Sequence, residues 1–63
     1  MKIKELRDKS LTELQKLLVE QRVELTTTRF QVASNQESKV RKLRQLKRDI
    51  AKILTVINET RHD

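Results

Sequence analysis

Apolar residues recur at helical spacing through the first half of the chain. They follow steps of three or four residues, or sums of such steps: Leu11, Leu14, Leu18, Leu25 and Val32. At about 100° per residue these positions form one stripe roughly 60° wide, with Leu17 on its flank. Gln21 and Thr28 occupy the two gaps, so the seam of this predicted helix is weakest in its middle.

Ser10 and Glu13 have the spacing of a capping box. The Ser10 hydroxyl can accept the backbone N–H of the third helical residue, and the Glu13 side chain can reach back to Ser10. The first helix is therefore predicted over residues 10–33.

A second apolar stripe follows steps of three, four, three and four without a gap, and its members are Leu43, Leu46, Ile50, Ile53 and Ile57. Leu54 is predicted to widen it. The second helix is predicted over residues 39–60.

The polar segment 34–38 is the one plausible break between the helices. Asn35 tolerates the left-handed conformation that ends many helices, and Ser34 or Ser38 can cap the next one. The predicted fold is all-α: an antiparallel two-helix hairpin, with the first nine residues forming a short turn or helical fragment across one end. The alternative is a continuous helix of about 50 residues that dimerises as a coiled coil, because no Gly or Pro enforces a turn.

The composition limits what such a chain can be. Its 63 residues make one domain at most, and Gly, Pro and Cys are all absent. A chain this short hides only about 60% of its unfolded surface, so a binding partner is expected to supply stability. No apolar run approaches the roughly 18 residues that span a bilayer, and the first residues lack the apolar stretch of a signal peptide, so a cytoplasmic location is expected.

The net charge of +6 is concentrated in one segment. Residues 1–38 carry seven basic and six acidic side chains, and residues 53–63 carry one basic and two acidic. Residues 39–52 carry seven basic side chains against Asp49 alone, which equals the whole net charge.

On the second helix the basic residues are predicted to form a face opposite the apolar stripe, made of Arg41, Arg44, Arg48 and Lys52. Lys39 belongs to the same basic segment, and Lys42 and Lys47 flank the stripe. A solvated charged face usually alternates signs, as the first helix does along its sequence. The second helix does not, which favours a polyanionic partner.

The polyanion is predicted to be a folded nucleic acid contacted at its phosphates. Phe30 alone cannot form the stacking platform of a single-strand reader. A helix-turn-helix protein normally needs a third helix, and a membrane-surface helix exposes bulky apolar residues beside its basic face. The chain has no catalytic constellation, metal-ligand spacing or phosphate loop, so no enzyme activity, cofactor or small-molecule substrate is expected.

A minor apolar stripe on the first helix comprises Val19, Val23 and Phe30, about 80–120° from Leu11. Two interpretations remain open. These side chains are either scattered surface residues, which are common, or a contact with a neighbouring protein or RNA.

Three segments in order resemble one family. They are Met1-Lys2 with Glu5-Leu6-Arg7 and Ser10, then Arg29-Phe30-Gln31 with Ala33 and Gln36, then Lys47-Arg48-Asp49-Ile50-Ala51-Lys52-Ile53 with Thr55 and Glu59. Along nearly its full length the chain resembles the bacterial large-subunit ribosomal protein family number twenty-nine. It departs from the family pattern at Leu54, where a basic residue is usual, and at Asn35, where Gly is usual.

The resemblance implies a structural role on large-subunit rRNA near the mouth of the peptide exit tunnel. It also implies a neighbouring ribosomal protein there, with trigger factor and the signal recognition particle docking nearby. Lys47, Arg48 and Lys52 match the family's basic motif, and Arg29 matches a basic position in the first helix. An alternative function, from the residues alone, is a basic coiled-coil module that binds an acidic protein.

Overall fold

The computed structural model describes residues 1–61, all of whose regular structure is helical. Its elements are α1 (Ile3–Arg7), α2 (Leu11–Ala33), a short 3-10 helix (Glu37–Lys39) and α3 (Val40–Arg61). The helices α2 and α3 pack along each other as a hairpin, and α1 packs against α3. The prediction of an all-α hairpin with an N-terminal helical fragment is confirmed, and the alternative of one continuous helix is wrong.

Ser10 fixes the start of α2. Its backbone is extended, with φ −70° and ψ 162°, and its side-chain oxygen accepts the backbone N–H of Glu13 at 3.2 Å. One of the four backbone donors that a helix leaves unpaired at its start is thereby satisfied. The capping role predicted for Ser10 is confirmed.

Asn35 makes the turn at the end of α2. Its φ of 70° lies in the left-handed region, as the sequence predicts. The N–H of Gln36 donates to the carbonyl of Gln31 at 3.0 Å, and the N–H of Asn35 donates to the carbonyl of Val32 at 3.1 Å. This pair of bonds is the Schellman arrangement, which satisfies the last carbonyls of a helix and redirects the chain.

The core lies at the end of the hairpin away from this turn. Its fully packed cluster draws on all three helices and consists of Leu6, Leu14, Ile53, Val56 and Ile57. The contribution of α1 is Leu6, which is only 1% exposed. Further along the seam, Leu46, Ile50 and Thr28 are also buried. Thr28 thus occupies the seam position that its spacing predicts.

The prediction that Leu54 widens the buried stripe of α3 is wrong. Leu54 is 39% exposed, whereas Val56, which the stripe omits, is 2% exposed. The reason is α1, which covers the flank of α3 that carries Val56 and leaves the flank that carries Leu54 uncovered.

Polar contacts hold the N-terminal segment along the second half of α3. The Arg7 guanidinium donates to both carboxylate oxygens of Glu59, at 3.0 and 3.1 Å. Lys52 Nζ donates to the Met1 carbonyl at 2.9 Å, and the Met1 amino group lies 3.8 Å from Asp49 Oδ1. Hydrogen bonding and charge attraction from Glu59 raise the pKa of Arg7, and the same hydrogen bonds from Arg7 lower the pKa of Glu59.

Candidate nucleic-acid interface

Three arginines form a row on the outer edge of α3. Arg41, Arg44 and Arg48 follow steps of three and four residues, and all three are exposed. They extend over about 10 Å of helix. Within residues 1–61 no ion pair or side-chain hydrogen bond engages any of them. An arginine in this state has all its donors available for phosphate oxygens.

The remaining predicted cations differ in their availability. Lys42 Nζ pairs with Glu24 Oε1 of α2 at 2.9 Å, so its charge helps to join the two long helices. Lys52 is partly buried and holds the Met1 carbonyl. Lys39, at the end of the 3-10 helix, is also partly buried, whereas Lys47 and Arg29 are exposed. The structure therefore brings most of the predicted residues to the surface and uses two of them internally.

The charges of α2 alternate along the sequence, but around the helix two of its three cations lie apart from its acidic residues. Its acidic residues, Glu13, Glu20 and Glu24, fall within a sector about 40° wide. Arg22 and Arg29 are separated from each other by about 20° and lie about 140–180° from the acidic sector. The interpretation of α2 as a helix of mixed sign is therefore incomplete, because it follows charge order and ignores rotation.

The hairpin has two broad faces, and the ion pair between Glu24 and Lys42 marks one of them. Glu24 and Lys42 meet on one face, and Asp49, seven residues after Lys42, holds the Met1 amino group on that same side. We call this the α1 face. Arg29 follows Glu24 by five residues and Lys47 follows Lys42 by five, a rotation of about 140° in each case. Because the helices are antiparallel, both rotations lead to the opposite broad face, which we call the open face.

The minor apolar stripe lies on the outer edge of α2. Val19, Val23 and Phe30 are 62%, 63% and 73% exposed. Thr26 falls between them in the same helical row, which completes steps of four, three and four. Within residues 1–61 no other element of the chain covers this row.

Metal-ligand groups and membrane-spanning helices are both absent from the described part of the chain. Residues 1–61 contain no group of three or more His, Cys, Asp or Glu side chains that could hold a metal ion. None of the helices in that range is long and apolar enough to cross a membrane.

A family model and individual relatives of known identity all point to the same protein family. A family model described as ribosomal L29 protein matches residues 4–59. The large ribosomal subunit protein uL29 of Acetivibrio thermocellus is 52% identical over 59 residues, which cover 94% of this chain and 88% of the relative. That of Thermus thermophilus is 48% identical over 94% of this chain and 88% of its own length. That of Rubrobacter xylanophilus is 41% identical over all 63 residues and 94% of the relative.

No solved structure matches the chain. The family model spans nearly all of it, from the second residue of α1 to the last turns of α3. The relatives have the same length to within a small fraction and are similar throughout the three helices. The chain belongs to the ribosomal L29 protein family.

Proposed function

We propose that this protein is a structural constituent of the large ribosomal subunit that binds rRNA near the peptide exit tunnel through the basic face of α3. The observation that carries the proposal is the exposed row of Arg41, Arg44 and Arg48, which has no acidic partner within residues 1–61. Phosphate oxygens of rRNA supply the negative charge that these arginines lack within the fold. Members of the family are structural proteins without enzymatic activity, and this chain is not an enzyme.

The basic residues contribute unequally under this proposal. Arg44 and Arg48 are the main phosphate ligands, supported by Arg41, Lys47, Lys39 and Arg29. Lys42 and Lys52 act chiefly within the fold, because each already has an intramolecular partner. Guanidinium groups suit phosphate better than ammonium groups do, since they donate two parallel hydrogen bonds.

The proposed position on the ribosome also includes contacts with neighbouring proteins. The row of Val19, Val23 and Phe30 contacts a neighbouring ribosomal protein through an apolar surface. It contains no cation to bind phosphate, and it lies on the outer edge of α2, on the other side of the hairpin from the arginine row of α3. A position near the exit tunnel also brings trigger factor and the signal recognition particle close to the protein, as the family resemblance implies.

Charge reversal tests the proposal. The variant Arg44→Glu/Arg48→Glu is expected to lose incorporation into large subunits, because two phosphate contacts become repulsive. Incorporation is measured by the amount of tagged protein that sediments with large subunits in high salt. Circular dichroism of the purified variant checks that the helices persist.

The matched control is Lys9→Glu/Lys16→Glu, which makes the same change in net charge at two exposed positions away from the α3 row. This control is expected to incorporate normally. Equal incorporation of the α3 variant and the wild type would show that the arginine row does not bind rRNA. Equal loss in both variants would mean that net charge alone matters and that the site is not specific.

A further inference from the structure

Arg22 belongs to none of the sites described so far, although it is exposed and has no ion pair within residues 1–61. It precedes Arg29 by seven residues, which is almost two full turns of helix. The two arginines therefore share one side of α2, about 10 Å apart along its axis. Both lie on the open face of the hairpin, away from the acidic sector of α2.

The register of the hairpin brings Arg22 level with the middle of α3. Glu24 reaches Lys42, and the core joins Leu14 to Ile53, Val56 and Ile57. In an antiparallel pair these contacts align position 22 with positions 44 to 47 of α3. Lys47 lies on the open face at that level, and Arg44 lies where the open face meets the outer edge. Helix axes in such a pair are about 8–10 Å apart, so cations from both helices border one narrow surface.

No acidic residue at ion-pairing spacing in the sequence can neutralise the charges of Arg22, Arg29 and Lys47. On a helix the side chains three and four residues away are the neighbours that form ion pairs. None of the residues at those spacings from Arg22, Arg29 or Lys47 is acidic. Lys16 provides the contrast, because Glu13 and Glu20 occupy those spacings around it.

The α1 face and the open face also differ in how much of each is covered by the rest of the fold. The α1 face carries the Glu24–Lys42 ion pair and the N-terminal segment, which cover it. The open face is left uncovered, since Leu54 on this side of α3, two turns beyond Lys47, is 39% exposed. It carries exposed cations on both helices, Arg22 and Arg29 on α2 and Lys47 on α3. Phosphate groups of a folded RNA can contact the cations of both helices.

We infer that Arg22, with Arg29 and Lys47, forms a second phosphate-binding surface on the open face, so that RNA contacts both long helices. This inference rests on the proposed function and extends it, since the proposed site is centred on the outer edge of α3, takes Arg29 and Lys47 only as supporting ligands and does not include Arg22. The RNA then follows the hairpin from the outer edge of α3 across the open face to α2. The protein binds with its α1 face and the outer edge of α2 turned away from the RNA.

The test measures binding of the full chain to the large-subunit rRNA of its source organism over a range of salt concentrations. Arg22→Gln is expected to weaken binding about tenfold, the effect of losing one charge-assisted hydrogen-bonded contact. It should also reduce the slope of log affinity against log salt by about 0.7–0.9. Lys16→Gln removes the same charge from the same helix and is expected to change affinity by less than about twofold.

The outcomes separate this inference from the proposed function. If the wild type binds rRNA, Arg44→Gln weakens it and Arg22→Gln behaves like Lys16→Gln, the second surface does not exist and the α3 site stands. If neither the wild type nor any variant binds rRNA, both proposals are wrong. If Arg22→Gln and Arg44→Gln each lower the salt slope and Lys16→Gln does not, RNA lies on both helices. Circular dichroism of each variant confirms that a lost interaction does not come from lost helix.

Discussion

Gln21 is the side chain least well accommodated in the seam between the long helices. Its Oε1 atom is buried and accepts no hydrogen bond from residues 1–61. A buried acceptor without a donor loses its water and gains nothing in return, which costs about 1–3 kcal/mol. Gln21 also interrupts the apolar stripe of α2, so this position combines a polar cost with a loss of apolar contact.

Replacing Gln21 with Leu is therefore expected to stabilise the free protein by about 1–2 kcal/mol. The free energy of unfolding is measured by urea titration followed by circular dichroism. Gln15→Leu is the control, because Gln15 is exposed on the same helix, and it is expected to change stability by less than about 0.5 kcal/mol. A Gln21→Leu protein no more stable than the wild type would mean that Gln21 finds a partner in solution, such as an ordered water.

At the scale of elements, the exposed Arg7–Glu59 pair adds a pH-dependent contribution to the docking of α1, which Leu6 anchors in the core. The pKa of Glu59 is lower in the folded protein because the Arg7 guanidinium hydrogen-bonds to it. The unfolded chain then binds more protons at Glu59 than the folded chain does as the pH falls. The stability that this pair contributes is therefore fully present above the unfolded pKa of Glu59, and it is lost as the pH falls through the lower, folded pKa.

The variant Glu59→Gln is expected to be less stable than the wild type at pH 7, and the difference is expected to be smaller at pH 3, because protonation of Glu59 weakens its pairing with Arg7. Thermal unfolding at both pH values measures the difference. Glu5→Gln serves as the control, because Glu5 is exposed on α1 and has no ion pair with any side chain of residues 1–60. A stability difference of the same size at both pH values would show that the charge of Glu59 does not hold α1.

The elements that could be predicted from sequence are those specified by neighbouring residues. Ser10 and Glu13 give the start of α2, and Asn35 gives its end, because capping and the left-handed turn depend on side chains a few positions apart. The main stripe of α3 was also predictable, since Leu46, Ile50, Ile53 and Ile57 repeat at helical spacing and are all buried.

The features that could not be predicted from sequence depend on the short helix α1. Five residues of α1 show no periodic pattern of their own, so neither the burial of Leu6 nor that of Val56 could be read from the sequence. The same helix decides which flank of α3 is exposed, and so it determines the exposure of Leu54. The engagement of Lys42 and Lys52 likewise depends on contacts with distant segments, to Glu24 and Met1. The open face could not be predicted from the sequence, because Arg22 of α2 and Lys47 of α3 become neighbours only when the two helices are packed in their observed register.

At the scale of the whole molecule, positive charge limits the stability of the free protein. The chain has a net charge of +6 on a body of 44 × 17 × 15 Å, and the arginines of α3 repel one another. A core this small supplies only a few kcal/mol. Any multivalent anion that binds the folded cationic surfaces should therefore stabilise the protein, because the unfolded chain spreads the same charges apart.

Low millimolar sulfate is expected to raise the Tm by roughly 4 °C or more, the shift that about 1 kcal/mol produces in a domain of this size. Sodium chloride at equal ionic strength controls for general screening and should raise the Tm less. The sulfate effect is expected to diminish in Arg44→Gln/Arg48→Gln. An equal rise with both salts, or an undiminished rise in the variant, would show that sulfate has no site on α3.

The core of this protein joins the two ends of its sequence, since Leu6 and Leu14 pack against Ile53, Val56 and Ile57. During synthesis the first two of these residues are made some forty residues before their partners. Folding of the core therefore waits until most of α3 has been made, because no shorter length of chain contains both sides of it. Until then α2 is an isolated amphipathic helix with exposed leucines. Those leucines are covered only when α3 packs against them.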